Sequence, residues 1–305
     1  MDELERIEKD IKSLTIQGAT NIALSALAGI KFAIESGIED SQKLQMIGEK
    51  LAYARPTEPL AQNAVRYIFI QKDKPADYYL KRIEEYKSLV SDTKKKMARH
   101  GISLLQNGGV YLTHCHSSTV VSMFKEARKL GKRFSIFTTE TRPMFQGHKT
   151  VRELLEAGFE DVTLIIDDVA ESLLEGRAKT IDAVFIGADL LSQNGFVNKV
   201  GSLGIAYAAE RRNIPLYCLS VLLKYDPRPY LPSIIEQRGG YEIWPDAPKN
   251  LSFYAPAFDF IPYRLDIKLI CEKGLLEGKD IENQTYSLYP FLNWTYASLS
   301  SRVPT

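Results

Sequence analysis

From Gly108 onward the chain alternates short β-branched and aromatic runs with helical ones, and no other feature limits the possible folds as tightly. The pairs are GGVYLTH then STVVSMFKEARKLG, RFSIFTT then KTVRELLEAG, DVTLIID then DVAESLLEG, and IDAVFIGA then KVGSLGIAYAAERRN, with IPLYCLS last. Strands joined through helices at this spacing form right-handed crossovers, so the expected product is a parallel sheet covered on both faces. Farther along, the strand candidates are Ser252 to Tyr254 and Ile267 to Cys271.

The first hundred residues have a helical apolar period. It runs through Leu4, Ile7, Ile11 and Leu14, then GATNIALSALAGIKFAIES, GEKLAYA, EPLAQNAVRYIFIQ and the stretch from Asp77 to about Leu105. The expected organisation is an all-helical N-terminal domain over residues 1–104, followed by a doubly wound α/β domain over 105–305. The basic run Lys94 to Lys96 reads as a solvated helix face rather than a nucleic-acid patch.

Composition narrows the class. With 45% hydrophobic and 25% charged residues, the 305-residue chain can bury a substantial core. Its net charge of +1 points to neither nucleic acid nor a membrane as partner. The opening MDELERIEKDIKSL is charged and helical, unlike a secretory signal, and no segment is apolar for long enough to span a bilayer. Three scattered cysteines without a CxxC pair argue for a reducing compartment and against a disulfide frame or zinc ribbon, so a cytoplasmic protein is expected.

In a doubly wound sheet, ligands sit beyond the carboxyl ends of the strands. Those ends carry His114-Cys115-His116-Ser117-Ser118, Thr139-Glu140-Thr141-Arg142-Pro143, Asp167-Asp168, Gly187-Ala188-Asp189 and Ser220. Asp167, Asp168 and Ser220 have no stronger claim than helix capping. Cys115 stands between two of the four histidines, just before a helix starting at Ser117-Ser118. Backbone N–H groups and the helix dipole there would lower its pKa and equip it as an acid/base thiol; the alternative is a small buried hydrophobe. Cys218 and Cys271, inside apolar runs, read as buried. Neighbours on an extended strand face opposite ways, so His114 and Cys115 do not suit a shared ion, and no metal is expected. Asp189 follows a very apolar strand, where desolvation raises a carboxyl's pKa and suits it to donate a proton; the alternative is a turn cap. NKVGS, Asn198 to Ser202, opens a helix with a lysine and small residues, a candidate anion seat. No GxGxxG follows the first strand of the α/β half and no GxxxxGK[ST] occurs, so neither a dinucleotide nor a P-loop reading gains support.

Taken in order, ARPTEPLAQNAVRY, THCHSS, TETRPMFQG, GADLLSQNGFVNKVGS and APAFDFIP resemble one superfamily. It joins isomerases of methylthioribose 1-phosphate and ribose 1,5-bisphosphate to the alpha, beta and delta subunits of eukaryotic initiation factor 2B. The resemblance runs from about residue 16 to residue 276. It implies a helical N-terminal domain before a Rossmann-like one, and homo-oligomers (a dimer or a trimer of dimers) built through the α/β half. It also implies a small sugar phosphate as ligand, no redox cofactor, and Cys115 and Asp189 as the catalytic pair, accepting and donating protons respectively. Arg55, Ser117, Asn198, Lys199 and Lys224 fall on substrate-binding positions. So do Gln17, Gly18 and Ser118, but Gln17-Gly18 stands where the bisphosphate isomerases have Arg-Gly, and Ser118 where they have Lys. A charge-assisted hydrogen bond to phosphate is about twice as strong as a neutral one, so a second phosphate is expected to be held differently or to be absent. The activity implied is conversion of an aldose 1-phosphate, foremost ribose 1,5-bisphosphate, to a ketose 1-phosphate. A different 5-substituted ribose 1-phosphate and a noncatalytic factor subunit are the alternatives.

Overall fold

The computed structural model describes residues 3–176, 179–230 and 232–293. Five helices come first: α1 (Glu3–Lys12), α2 (Ala19–Glu35), α3 (Ser41–Ala52), α4 (Pro59–Ile68) and α5 (Ala76–Ile102). Each follows the helical apolar period, with Ile7 and Ile11 of α1 and Ile22, Leu27 and Ile30 of α2 buried in one core. Asp40 starts α3 by accepting the backbone N–H groups of Gln42 and Lys43, donors a helix end otherwise leaves unpaired.

The alternating segments then form β1 (Val110–Thr113), α6 (Ser118–Lys129), β2 (Ser135–Thr139), α7 (Gln146–Glu156), β3 (Val162–Ile165), α8 (Val169–Leu174) and β4 (Ala183–Gly187). After β4 come a short β5 (Leu190–Leu191), β6 (Gly195–Lys199), α9 (Ser202–Arg211), β7 (Leu216–Leu219), α10 (Gly240–Ile243), β8 (Phe258–Pro262), β9 (Lys268–Cys271), β10 (Gly274–Glu277) and α11 (Ile281–Leu288). The main sheet has the order β10-β9-β7-β4-β1-β2-β3; all its pairings are parallel except β9 with β10. β4 is buried at every position, as a central strand covered on both faces must be. Tyr111, Phe124 and Phe185 pack edge-on and stacked at its centre.

Three details depart from the sequence reading. Ser252 to Tyr254 is exposed and pairs with no strand among the described residues; the strand forms later, at β8, where Phe258 and Ile261 have a core to enter. Asn198 and Lys199 end strand β6 rather than opening a helix, and α9 begins at Ser202. β5, β6 and β8 make a second, antiparallel sheet that the alternating pattern does not announce.

The helical and α/β halves share one core. Within it α5 reaches past its own layer to pack on α6 and β9. Asn63 of α4, fully enclosed, donates both amide hydrogens across the junction, to the carbonyls of Leu223 at 2.8 Å and Tyr225 at 2.9 Å.

Candidate functional site

From β1 the chain steps outward to β2 and β3, then returns to place β4 on the other side of β1. That reversal opens a crevice at the carboxyl ends of β1 and β4, where such sheets bind ligands. Cys115 lies just past β1 and Asp189 just past β4, and both line one cavity of about 440 Å³. All ten candidate residues line it: Gln17, Gly18, Arg55, Cys115, Ser117, Ser118, Asp189, Asn198, Lys199 and Lys224.

Cys115 is clamped through its backbone. At φ 66° it adopts a left-handed conformation that is strained for a residue with a side chain. Its N–H donates to Thr141 Oγ1 at 3.0 Å, and its carbonyl accepts from Thr150 Oγ1 at 3.0 Å. The flanking histidines complete the clamp. His114 Nε2 lies 2.8 Å from the Val200 carbonyl, so it carries the proton, and Nδ1 accepts from Thr139 Oγ1 at 2.7 Å. His116 Nδ1 meets Thr150 Oγ1 at 3.1 Å, and burial pushes His116 down to about 4, so the ring is neutral at pH 7. Asp167 fixes the neighbouring turn by accepting from the N–H groups of Thr141 at 2.8 Å and Arg142 at 2.7 Å.

The expectation of a lowered Cys115 pKa is overturned. Burial, opposed by the charge of Lys199 and reinforced by that of Asp189, pushes it up to about 11. Desolvation outweighs the helix terminus here, and Cys115 is a thiol at neutral pH. Its Sγ has Gln146 Oε1 at 3.7 Å.

The wall is cationic. Arg55, Lys94, Lys149, Arg152, Lys199, Lys224 and Arg238 face the cavity against three carboxylates, Glu58, Asp189 and Glu236. Glu236 engages two of these cations, Arg55 at 3.1 Å and Arg238. Lys199 sits 5.1 Å from the centroid of the Phe258 ring, and Lys224 donates to the Ala188 carbonyl. Two candidates have structural tasks as well. Ser117 caps α6 by accepting from the Val120 N–H at 3.4 Å, and Asn198 Nδ2 donates to Ser202 Oγ at 2.8 Å.

Sequence reasoning missed several lining residues. Lys94 is no solvated face: it turns into the cavity, and burial, with the like charge of Lys224 second, pushes it down to about 8. Lys95 and Lys96 stay exposed. Gln146 lay within the TETRPMFQG motif and needed only its spatial position. Glu58 lay within the ARPTEPLAQNAVRY motif but drew no separate notice, since an acid before a proline at a helix start is ordinary. Yet it is buried, and desolvation followed by the charge of Asp189 overcomes Arg55 and Lys224 to push it up from 4.5 to about 8. Because the folded value is raised, the stability tied to this group is complete below the unfolded pKa and is lost as pH rises through the folded one. Glu58→Gln is therefore expected to flatten the decline seen in the native protein, by about 3 kcal/mol at the alkaline end. Denaturant unfolding from about pH 5 to pH 9 tests this, and parallel curves for the two proteins would reject it.

A Rossmann-like fold with a cationic crevice at its switch point defines an α/β protein whose cavity suits a small anionic ligand. The chain belongs to the initiation factor 2 subunit family, whose model matches residues 15–278. Among its relatives, the ribose 1,5-bisphosphate isomerase of Archaeoglobus fulgidus is 31% identical over 287 residues, 90% of each chain. A 5-deoxyribose 1-phosphate isomerase of Clostridium botulinum is 30% identical over 314 residues, covering 92% of this chain and 88% of that one. Among solved structures, the translation initiation factor eIF-2B of Pyrococcus horikoshii superposes with a TM-score of 0.79 at 24% identity, over 91% of this chain and 98% of that one. The 5-methylthioribose 1-phosphate isomerase of the same organism gives 0.75 at 23% identity, over 93% and 88%. At those identities the structures speak for the fold alone.

Proposed function

We propose that the protein is an isomerase that converts an aldose 1-phosphate to the ketose 1-phosphate, with ribose 1,5-bisphosphate as the foremost substrate. The observation that carries this reading is the meeting of Cys115 and Asp189 in one cation-lined cavity, on the two strands that flank the switch point. Relatives at about this identity are named as isomerases of ribose 1,5-bisphosphate and of 5-deoxyribose 1-phosphate.

The chemistry needs two groups. A sugar phosphorylated at its anomeric oxygen cannot open its ring spontaneously. The ring oxygen must gain a proton as its bond to C1 breaks, C1 must gain the hydrogen lost from C2, and the C2 hydroxyl must give up its proton to become the carbonyl. One group accepts while another donates, and these roles are assigned to Cys115 and Asp189. Cys115 is a thiol at neutral pH and Asp189 acts on it as a charged carboxylate, so the pair works only once a proton has passed from the thiol to the carboxylate, which leaves one acceptor and one donor; the charge of Lys199 favours the thiolate. Lys199, Lys224 and Arg55 offer the cations for phosphate oxygens. Lys149 and Arg152, exposed at the cavity mouth, are further cations that Gln17-Gly18 and Ser118 lack.

The test is phosphorus NMR of the purified protein with ribose 1,5-bisphosphate, 5-deoxyribose 1-phosphate and 5-methylthioribose 1-phosphate in turn. Appearance of a ketose 1-phosphate resonance from at least one is expected. No conversion of any of the three would overturn the reading in favour of a noncatalytic subunit.

A further inference from the structure

Glu58 precedes α4 on the helical wall of the cavity. It is 1% exposed, yet its Oε2 has no hydrogen-bond partner among the described residues. Its Oε1 stands 3.5 Å from Arg55 Nη1, beyond good hydrogen-bond length, while that guanidinium bonds Glu236 at 3.1 Å. An enclosed carboxyl oxygen left unpaired is costly, and a turn of the side chain toward the adjoining cavity would let a ligand there relieve that cost. The charges that face Glu58 come from every side: Arg55 on its own loop, Asp189 after β4, Lys224 in the turn after β7, and Glu236 ahead of α10. Lys94 from α5 and Lys199 from β6 line the same cavity.

We propose that Glu58 is a substrate-binding residue that works as a neutral acid, donating its proton in a hydrogen bond to the bound sugar phosphate. The proposal rests on the cavity being a sugar-phosphate site. Three ionised carboxylates around a dianion would repel it; a protonated Glu58 removes one of those charges and adds a donor. Burial and Asp189 push Glu58 up to about 8, so the acid form prevails at neutral pH, and an arriving dianion favours that form further. Above this range an ionised Glu58 repels the ligand. The substitution Glu58→Gln retains a donor without acquiring a charge, whereas Glu58→Ala removes both.

The experiment is a phosphorus NMR titration of native protein, Glu58→Gln and Glu58→Ala with inorganic phosphate. It is repeated with ribose 1,5-bisphosphate in the Cys115→Ser background, where turnover does not interfere. At about pH 7 the glutamine variant is expected to bind the sugar phosphate within about threefold of native and the alanine variant at least about fivefold more weakly. Between about pH 7 and pH 9 the native Kd divided by the glutamine-variant Kd is expected to rise at least about fivefold, for both ligands. Lys94 loses charge over the same range but is present in both proteins and cancels in the ratio. A ratio that stays constant with pH, a glutamine variant as weak as alanine at neutral pH, or a native protein that binds no phosphate would each overturn the proposal. The isomerase reading fails separately, when native protein turns over no sugar 1-phosphate; the inorganic phosphate ratio decides the role of Glu58 even then.

Discussion

Cys115→Ser and Asp189→Asn are each expected to lower kcat by about 10³-fold or more while changing KM less than about threefold. Both replacements are close to isosteric, so the cavity keeps its shape. The clamp on Cys115 runs through its N–H and carbonyl, to Thr141 and Thr150, and serine leaves both bonds in place. What changes is proton chemistry: an alcohol ionises far less readily than a thiol, and an amide has no proton to give at neutral pH. In the proposed mechanism the two groups serve one reaction as a unit, so the double variant should be no slower than the worse single one by more than about tenfold. Phosphorus NMR progress curves measure this. Turnover within about tenfold of native in either single variant would remove that residue from the catalytic pair.

Gly147→Ala is expected to destabilise the protein by about 3 kcal/mol or more and to weaken sugar-phosphate binding. An added Cβ would stand 1.9 Å from the Thr139 carbonyl oxygen and 3.0 Å from its carbon. These are backbone atoms at the end of β2, paired with Ile165 of β3, and cannot swing aside as a flexible side chain would. Relief has to come from the turn over 140–147, which would carry Gln146 away from Cys115 Sγ. Gly204 in α9 is the control: nothing lies within 4 Å of its added Cβ, so alanine there should stabilise by up to about 1 kcal/mol. Equal unfolding midpoints for Gly147→Ala and native protein would refute the steric argument.

The alternation from β1 to β7 was legible because each strand and helix carries its own period, and the switch-point rule converted strand ends into a site before any contact was known. The convergence of Cys115 and Asp189 on one cavity was legible for that reason, with the family motifs. The second sheet was not: β5 has two residues, and β6 pairs with β8 across more than fifty positions of chain, a register no local period encodes. Ser252 to Tyr254 shows the converse, an apolar run with β propensity and no neighbour to pair with. The protonation of Cys115 and the cavity-facing turn of Lys94 were also invisible. Each depends on how much water the whole fold removes, and local sequence reports only the helix terminus beside the one and the charged neighbours of the other.

Asn63 bears on how a ligand would travel. With one amide fastened to the carbonyls on either side of Lys224, the helical layer cannot swing off the sheet like a door without stranding two acceptors in a dry interior. Traffic is left to the rim, where Gln17, Ser118, Lys149 and Arg152 already meet water. The molecule resembles a jar with a fixed wall and an open rim, and the cations at that rim would be the first charges an incoming phosphate encounters.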